Sequence, residues 1–307
     1  MSPELGHAKG RASGRKAPRK SGPEALAYVD GDIVDLAKAR VPLNDRGYLL
    51  GDGIFETLRV ANGRVFRPEG HSQRLRGGLR VIGLDESVEA DYQAAVKALL
   101  KHGVRAFGDD LYLRVNVSTG PMGDIAGTDR GLLVTGIVKK FKPYPMQYYS
   151  HGIQVIVSKQ RKDSRSPVSG HKTLSYLPHV IARREAHSQT AHDALLLNEN
   201  GRVAECSTSN VFALKGDKVY APGAKEGACP GITRDVVLDL LADHDFEVVQ
   251  AMTLAQMRSA KEAWLTNTTG GIVPITRLGD KPIGNGKKGE LTAQLSHAFE
   301  ALVRNHV

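Results

Sequence analysis

Ser169-Gly-His-Lys-Thr-Leu-Ser-Tyr-Leu-Pro178 sets one lysine, Lys172, between a polar loop rich in serine and an expected helix over residues 178–187. Proline is tolerated in a helix's first turn, where its missing N–H has no partner to lose. A lysine in that place, inside an otherwise apolar-patterned region, reads on its own as a surface charge. Its meaning depends on what the chain on either side can bring to it.

Toward the C-terminus, residues 194–205 read as a hairpin whose Asn200-Gly201 pair favours a type I′ turn, with Glu205 ending the second strand. Residues 209–214 and 218–220 form another around Gly216-Asp217. Pro230-Gly-Ile-Thr-Arg234 opens a helix to about residue 242, and the apolar run from Trp264 enters a small-residue turn, Thr268-Thr-Gly-Gly271. Toward the N-terminus, residues 153–157 are a strand. Before them, Lys142-Pro-Tyr-Pro-Met-Gln-Tyr-Tyr-Ser150 has two prolines in three residues, which suppress helix and favour an extended crossover. The expected division is a smaller domain over 24–143, a linker over 144–152 and a larger domain over 153–307.

The first domain begins with strands at 27–29 and 32–35 around Asp30-Gly31, and residues 54–60 pair with 64–66 across Asn62-Gly63. Helices follow over 71–80, with Arg74 one turn from His71, and over about 90–103. Strict alternation over 110–117 marks a half-buried strand with Arg114, Tyr112 and Asn116 on one face. Residues 120–127 form a loop. Residues 131–138, nearly all apolar, read as a strand buried on both faces.

The chain has 307 residues and is 41% hydrophobic, enough to bury a substantial core and to make two domains. Cys206 and Cys229 lack the spacing of a zinc knot or a disulfide framework, so a reducing cytoplasm is the expected setting. No apolar run approaches the roughly 18 residues a membrane span needs. Of the formal charge of +9, residues 1–22 carry a net +5 in a Gly, Ser, Pro and Ala background. Residues 1–23 are thus expected to form a disordered basic tail, read as a solubilising extension rather than a nucleic-acid arm. The body has no compact basic face with interleaved aromatics to support the second reading.

There is no Gly-x-Ser-x-Gly elbow, no clustered metal ligands and no Gly-x-x-x-x-Gly-Lys-Ser/Thr phosphate loop. A cofactor-borne mechanism is the economical alternative. A lysine can form a Schiff base with the aldehyde of pyridoxal phosphate, provided that the protein holds the phosphate, keeps the ring nitrogen protonated and orients the substrate. Backbone N–H groups at Gly231-Ile-Thr233 and Thr268-Thr-Gly-Gly271 suit the phosphate, and Arg74 could add an arginine fork. Glu205 is the candidate carboxylate for the ring nitrogen.

These pieces carry a resemblance over residues 25–300. Asn44-Asp-Arg-Gly, Gly51-Asp-Gly-Ile-Phe-Glu56, His71-Ser-Gln-Arg-Leu75, His171-Lys-Thr-Leu-Ser-Tyr-Leu177, Ala204-Glu-Cys-Ser-Thr-Ser-Asn-Val-Phe212, Pro230-Gly-Ile-Thr-Arg234 and Thr268-Thr-Gly-Gly271 occur in order. The chain resembles the class IV aminotransferases, the fold type IV pyridoxal-phosphate family of branched-chain aminotransferases, D-amino acid aminotransferases and aminodeoxychorismate lyases. The resemblance implies an α/β (α+β) fold with a smaller N-terminal α/β domain, a larger C-terminal pseudo-barrel domain and a homodimer. It implies that Lys172 is the Schiff-base lysine and that Arg74, Ile232, Thr233, Thr268 and Thr269 hold the phosphate. Glu205 would meet the ring nitrogen, and Tyr176 would approach the phenolic oxygen.

The substrate is less decided, because departures from the family fall on the segments facing it. Tyr112-Leu-Arg114 resembles the strand that carries an arginine near the substrate carboxylate in branched-chain enzymes, but Leu50 stands where those have a tyrosine. Gly120-Pro-Met-Gly-Asp124 lacks the Arg-x-His of D-amino acid enzymes, and Phe55 stands where those have a tyrosine. Ala204-Glu-Cys206 is similar to the lyases, and Thr269-Gly-Gly-Ile-Val-Pro274 to the (R)-amine transaminases. Phe55 and Arg114 are the candidate substrate contacts. Transamination between a branched-chain-like amino acid and a 2-oxo acid ranks first, D-amino acid or (R)-amine transamination second and the lyase third. A non-catalytic binding protein with a nucleic-acid-recruiting tail is the alternative from another class, and Lys172, Arg74 and Glu205 together argue against it.

Overall fold

Alternation along one strand, Leu111–Ser118, divides the first half of the molecule into a packed face and an open face. Leu111, Leu113, Val115 and Val117 are buried, while Tyr112, Arg114 and Asn116 are half-buried on the other side. In the computed structural model, which describes residues 23–126 and 131–305, this strand is β5 of a six-stranded sheet. Its companions are β1 (Leu26–Val29), β2 (Asp32–Asp35), β3 (Gly53–Ala61), β4 (Arg64–Val65) and β6 (Leu133–Lys140), in the order β2-β1-β6-β5-β3-β4. All pairings are antiparallel. Helices α2 (Pro68–Val81) and α3 (Glu89–Phe107) cover the packed face, and a short α1 (Arg46–Leu50) precedes β3. Each fully buried Leu or Val there contributes about 1.5–3 kcal/mol. Gly103 lets α3 sit close on β6, since a Cβ there would lie 2.5 Å from Val138.

The second sheet has ten strands: β7 (Ile153–Lys162), β8 (Asp193–Asn198), β9 (Arg202–Cys206), β10 (Asn210–Lys215), β11 (Lys218–Tyr220), β12 (Glu247–Val249), β13 (Met252–Thr253), β14 (Glu262–Asn267), β15 (Gly271–Leu278) and β16 (Lys281–Pro282). Its order is β12-β11-β10-β14-β15-β7-β8-β9-β13, with β16 on β15, and it is nearly closed into a barrel. Helices α4 (Met146–Ser150), α5 (Leu177–Ser188), α6 (Ile232–Leu241), α7 (Leu254–Arg258) and α8 (Glu290–Arg304) accompany it. The two sheets share a core where Ala61 and Phe66 pack with α6 and α8, Phe66 meeting Phe299 edge to face at 5.8 Å. No helix among the described residues is long and apolar enough to cross a membrane.

Three expectations are corrected. The segment expected to stay extended through 144–152 holds α4, because Pro145 sits at its N-cap, where it lacks nothing a helix needs, and Tyr144, Tyr148 and Tyr149 pack on the barrel core. β6 is buried on one face only: Val134, Gly136 and Val138 face the helices, while Leu133, Thr135 and Ile137 stay half-exposed beside Arg114 and Asn116. The Asn200-Gly201 turn is not type I′, which needs positive φ at both residues; only Gly201 has it, at 72°. Asn198 holds the alternative, its Oδ1 accepting from the N–H of Asn200 at 3.1 Å and of Arg202 at 3.0 Å. At Asn62-Gly63 both φ values are positive, 52° and 73°. The expected tail lies outside the described residues, apart from Pro23.

Candidate active site

A cavity of about 290 Å³ opens between the sheets, and Lys172, Arg74, Tyr176, Glu205, Ile232, Thr233, Thr268, Thr269, Phe55 and Arg114 all line it. The Lys172 segment reaches it by adding a short edge to β3. Phe55 N–H donates to the Lys172 carbonyl at 2.8 Å, Leu174 N–H donates to the Gly53 carbonyl at 2.8 Å, and Ile54 bridges Thr173. The backbone is thus pinned five residues before α5 begins, and Lys172 Nζ stands 4.7 Å from the centre of the Phe55 ring. Burial lowers its pKa and the charge of Arg74 lowers it further, against the opposing charges of Glu56 and Glu205.

One pole of the cavity is rich in donors. Helix α6 begins at Ile232 with Gly231 as N-cap and no side-chain acceptor on its first amides. Such a start carries free N–H groups and the positive end of the helix dipole. A Cβ at Gly231 would fall 2.0 Å from Asn210 Oδ1, so glycine is required for this approach. Thr233 is buried beside it, and Thr266 Oγ1 is a buried hydroxyl with no hydrogen-bond partner among the described residues.

Arg74 stands at this pole, but its fork is already engaged. Nε and Nη2 donate to Glu56 Oε1 and Oε2 at 2.8 and 2.6 Å, and Nη1 donates to the Pro230 carbonyl at 2.8 Å. Burial alone would raise the Glu56 pKa, yet Arg74 and His71, whose Nδ1 lies 2.7 Å from Glu56 Oε2, bring it down to about 2. Arg74 therefore offers the pole its charge rather than an open fork. Thr269 N–H and Gly270 N–H likewise both donate to Asn267 Oδ1, at 3.0 and 2.6 Å, so the Thr268-Thr-Gly-Gly turn is organised by Asn267.

Glu205, on β9, is buried and anionic. Burial would raise its pKa, but Lys162 Nζ bonded to Oε1, nearby His179 and the Cys229 N–H donating to Oε2 at 2.9 Å lower it. Tyr176 caps α5, meets Phe55 edge to face at 5.4 Å and stacks on His179 at 4.4 Å. His179 Nδ1–H donates to the Ser207 carbonyl at 2.8 Å.

On the open face of β5, Arg114 lies over Phe55, its guanidinium carbon 3.7 Å from the ring centre, and Nε donates to Asn116 Oδ1 at 2.9 Å. Burial lowers its pKa. Among the described residues no carboxylate pairs with it.

Sequence reasoning missed four contributors: Glu56 as the partner of Arg74, Lys162 against Glu205, His179 against Tyr176, and Asn267. Lys162 closes the run Lys159-Gln-Arg-Lys162, which reads as solvated charge until β7 turns it inward. The pairing of Glu56 with helix α2 had a usable signal, since a glutamate on an apolar strand needs a buried cation.

The residues fit pyridoxal phosphate: an uncapped helix start, buried hydroxyls and a cation for a phosphate, a buried carboxylate for a protonated ring nitrogen, and an amine of lowered pKa for an aldehyde. Comparison with known proteins points the same way. The profile of the amino-transferase class IV family matches residues 53–278. A putative branched-chain-amino-acid aminotransferase of Methanocaldococcus jannaschii is 31% identical over 89% of this chain and 94% of its own length. A D-alanine aminotransferase of Listeria innocua is 30% identical over 90% of this chain and 96% of its own. The branched-chain-amino-acid aminotransferase-like protein 2 of Arabidopsis thaliana is 28% identical over 90% of this chain, which spans only 50% of that relative's length. A solved branched-chain amino acid aminotransferase of T.th. with pyridoxamine 5'-phosphate superposes with a TM-score of 0.82 at 23% identity, covering 92% of this chain and 95% of that one, and gives the fold as type IV.

Proposed function

The chain belongs to the amino-transferase class IV family, and we propose that it transfers an amino group between a branched-chain-like amino acid and a 2-oxo acid, with Lys172 as its working amine. The observation that carries this reading is that the Lys172 amine lines one cavity with the uncapped start of α6 and the anionic Glu205. Pyridoxal phosphate, the cofactor of the family, supplies an aldehyde to the lysine and a ring that accepts the electron pair left when a substrate Cα–H bond breaks. Arg74, Ile232, Thr233, Thr268 and Thr269 would hold its phosphate, Glu205 its ring nitrogen and Tyr176 its phenolic oxygen.

With the cofactor bound, Lys172 Nζ would be the base that takes the proton from the substrate Cα. A lowered pKa suits it, because an ammonium of ordinary pKa would stay protonated at neutral pH. Glu205 would keep its negative charge for a proton on the ring nitrogen, its Oε1 held by Lys162 and its Oε2 by the Cys229 N–H, with acceptor capacity left over. The aromatic walls of Phe55, Tyr144 and Tyr176 exclude water and favour an apolar side chain, while Arg114 receives the substrate carboxylate.

D-amino acid transamination is the second reading, on the strength of the D-alanine aminotransferase relative. A panel of L-amino acids, D-amino acids and chiral amines with 2-oxoglutarate and pyruvate decides. Leucine, isoleucine or valine should be the preferred donors, and turnover confined to D-amino acids or to amines would overturn the first reading. The reading includes a homodimer, supported by exposed Leu43, Tyr48 and Leu49 around α1, at 79%, 67% and 48%. It also includes a cytoplasmic setting, which the free thiols of Cys206 and Cys229 suit.

A further inference from the structure

The two arginines that line the cavity are held in different ways. Arg74 is paired in place with Glu56, whereas Arg114 is half-buried with no carboxylate beside it among the described residues. An arginine taken out of water without a counter-charge is costly unless a ligand supplies one. Arg114 rests on the face of Phe55 at 3.7 Å and donates from Nε to Asn116 Oδ1 at 2.9 Å, and behind it Asn116 Nδ2 donates to Thr135 Oγ1 at 3.3 Å. Asn116 does not line the cavity. The register of β5 against β6 places Asn116 opposite Thr135, so the Thr135-Asn116-Arg114 chain is built into the sheet.

We propose that Asn116, backed by Thr135, is a positioning residue that fixes the Arg114 guanidinium as the receptor for a substrate carboxylate, making the cavity selective for amino acids over plain amines. This rests on the transaminase reading and names a residue that acts on the substrate only through Arg114. Because Nε is tied to Asn116, the terminal nitrogens are the edge turned to a carboxylate, with the Tyr112 hydroxyl in hydrogen-bonding reach of the guanidinium and the Tyr176 phenol nearby. A neutral amide tethers the arginine without cancelling its charge. An aspartate at the same position would tether it equally well and cancel the charge.

The experiment uses the full chain loaded with pyridoxal phosphate. Isocaproate, an unreactive carboxylic acid, is titrated against the visible absorbance of wild type, Asn116→Leu and Asn116→Asp, and donor kinetics are measured with leucine and with 1-phenylethylamine. Both variants should bind isocaproate about tenfold more weakly, as losing a charge-assisted contact implies. KM for leucine should rise about tenfold with kcat moving less than about threefold, and turnover of the amine, where present, should not fall in parallel. Thermal melts near that of wild type establish that the variants fold, and Asn116→Asp, nearly the same in shape, answers alone if Asn116→Leu does not. Wild-type isocaproate affinity in Asn116→Asp, or equal losses on leucine and on the amine, overturns the proposal. A protein that never gains visible absorbance with pyridoxal phosphate fails the transaminase reading itself.

Discussion

Arg74 and Arg114 line the same cavity and are built on opposite principles. Arg74 sits on α2 in a closed network in which Glu56 takes two of its nitrogens, Pro230 a third, and His71 braces the carboxylate. Arg114 sits on the open face of β5 with an aromatic ring beneath it, an amide at its side and, among the described residues, no acid. The first arrangement is complete without a ligand and suits a cofactor that stays. The second is unfinished and suits a substrate that comes and goes.

Removing the guanidinium should separate the two most sharply. Arg74→Met leaves Glu56 buried with only His71, and breaking such a pair costs about 3–5 kcal/mol, read as a drop in urea unfolding free energy. Arg114→Met strands no carboxylate and should unfold within about 1 kcal/mol of wild type, or above it. Equal losses in the two variants would erase the distinction.

Acid should then find the closed pole first. Glu56 is depressed from 4.5 to about 2, so its contribution, about 3 kcal/mol, is fully present above pH 4.5 and fades as pH falls toward 2. Urea midpoints measured between pH 5 and pH 2 should show this slope, and Glu56→Gln should flatten it. In the ligand dimension the order reverses. Arg114→Met should raise KM for a carboxylate-bearing donor about tenfold or more, a loss of charge-assisted hydrogen bonding. The smallest effect concerns Lys172. Its amine reacts only when neutral, so labelling of the cofactor-free protein should accelerate as pH rises through its lowered pKa. Arg74 contributes to that lowering, so Arg74→Met should move the labelling curve to higher pH while Arg114→Met leaves it in place.

Much of this was legible along the chain because it is local. The helix at Pro230-Gly-Ile-Thr-Arg234, the Asn62-Gly63 hairpin and the alternation that puts Tyr112, Arg114 and Asn116 on one face each follow from a few neighbouring residues. What stayed hidden depends on partners far apart. Glu56 is 18 residues from Arg74, and Lys162 is 43 residues from Glu205. Nothing in either neighbourhood says that these charges cancel each other. The β6 face is hidden for the same reason: apolar content reveals that a strand can be buried on both sides, and only the pairing with β5 shows that one side shares the open face of Arg114 and Asn116. The Asn200-Gly201 turn was decided by Asn198, a side chain outside the dipeptide that usually sets the type.

The central claim is that Lys172 is the amine that meets the cofactor, and borohydride reduction of the pyridoxal-phosphate-loaded protein tests it most directly. Reduction joins the aldehyde carbon permanently to whichever amine holds it, and peptide mass spectrometry then locates the mass. The added mass should fall on the peptide containing Lys172, and Lys172→Ala should carry none. Attachment at Lys162 or at a surface lysine, or an unmodified protein, would contradict the account.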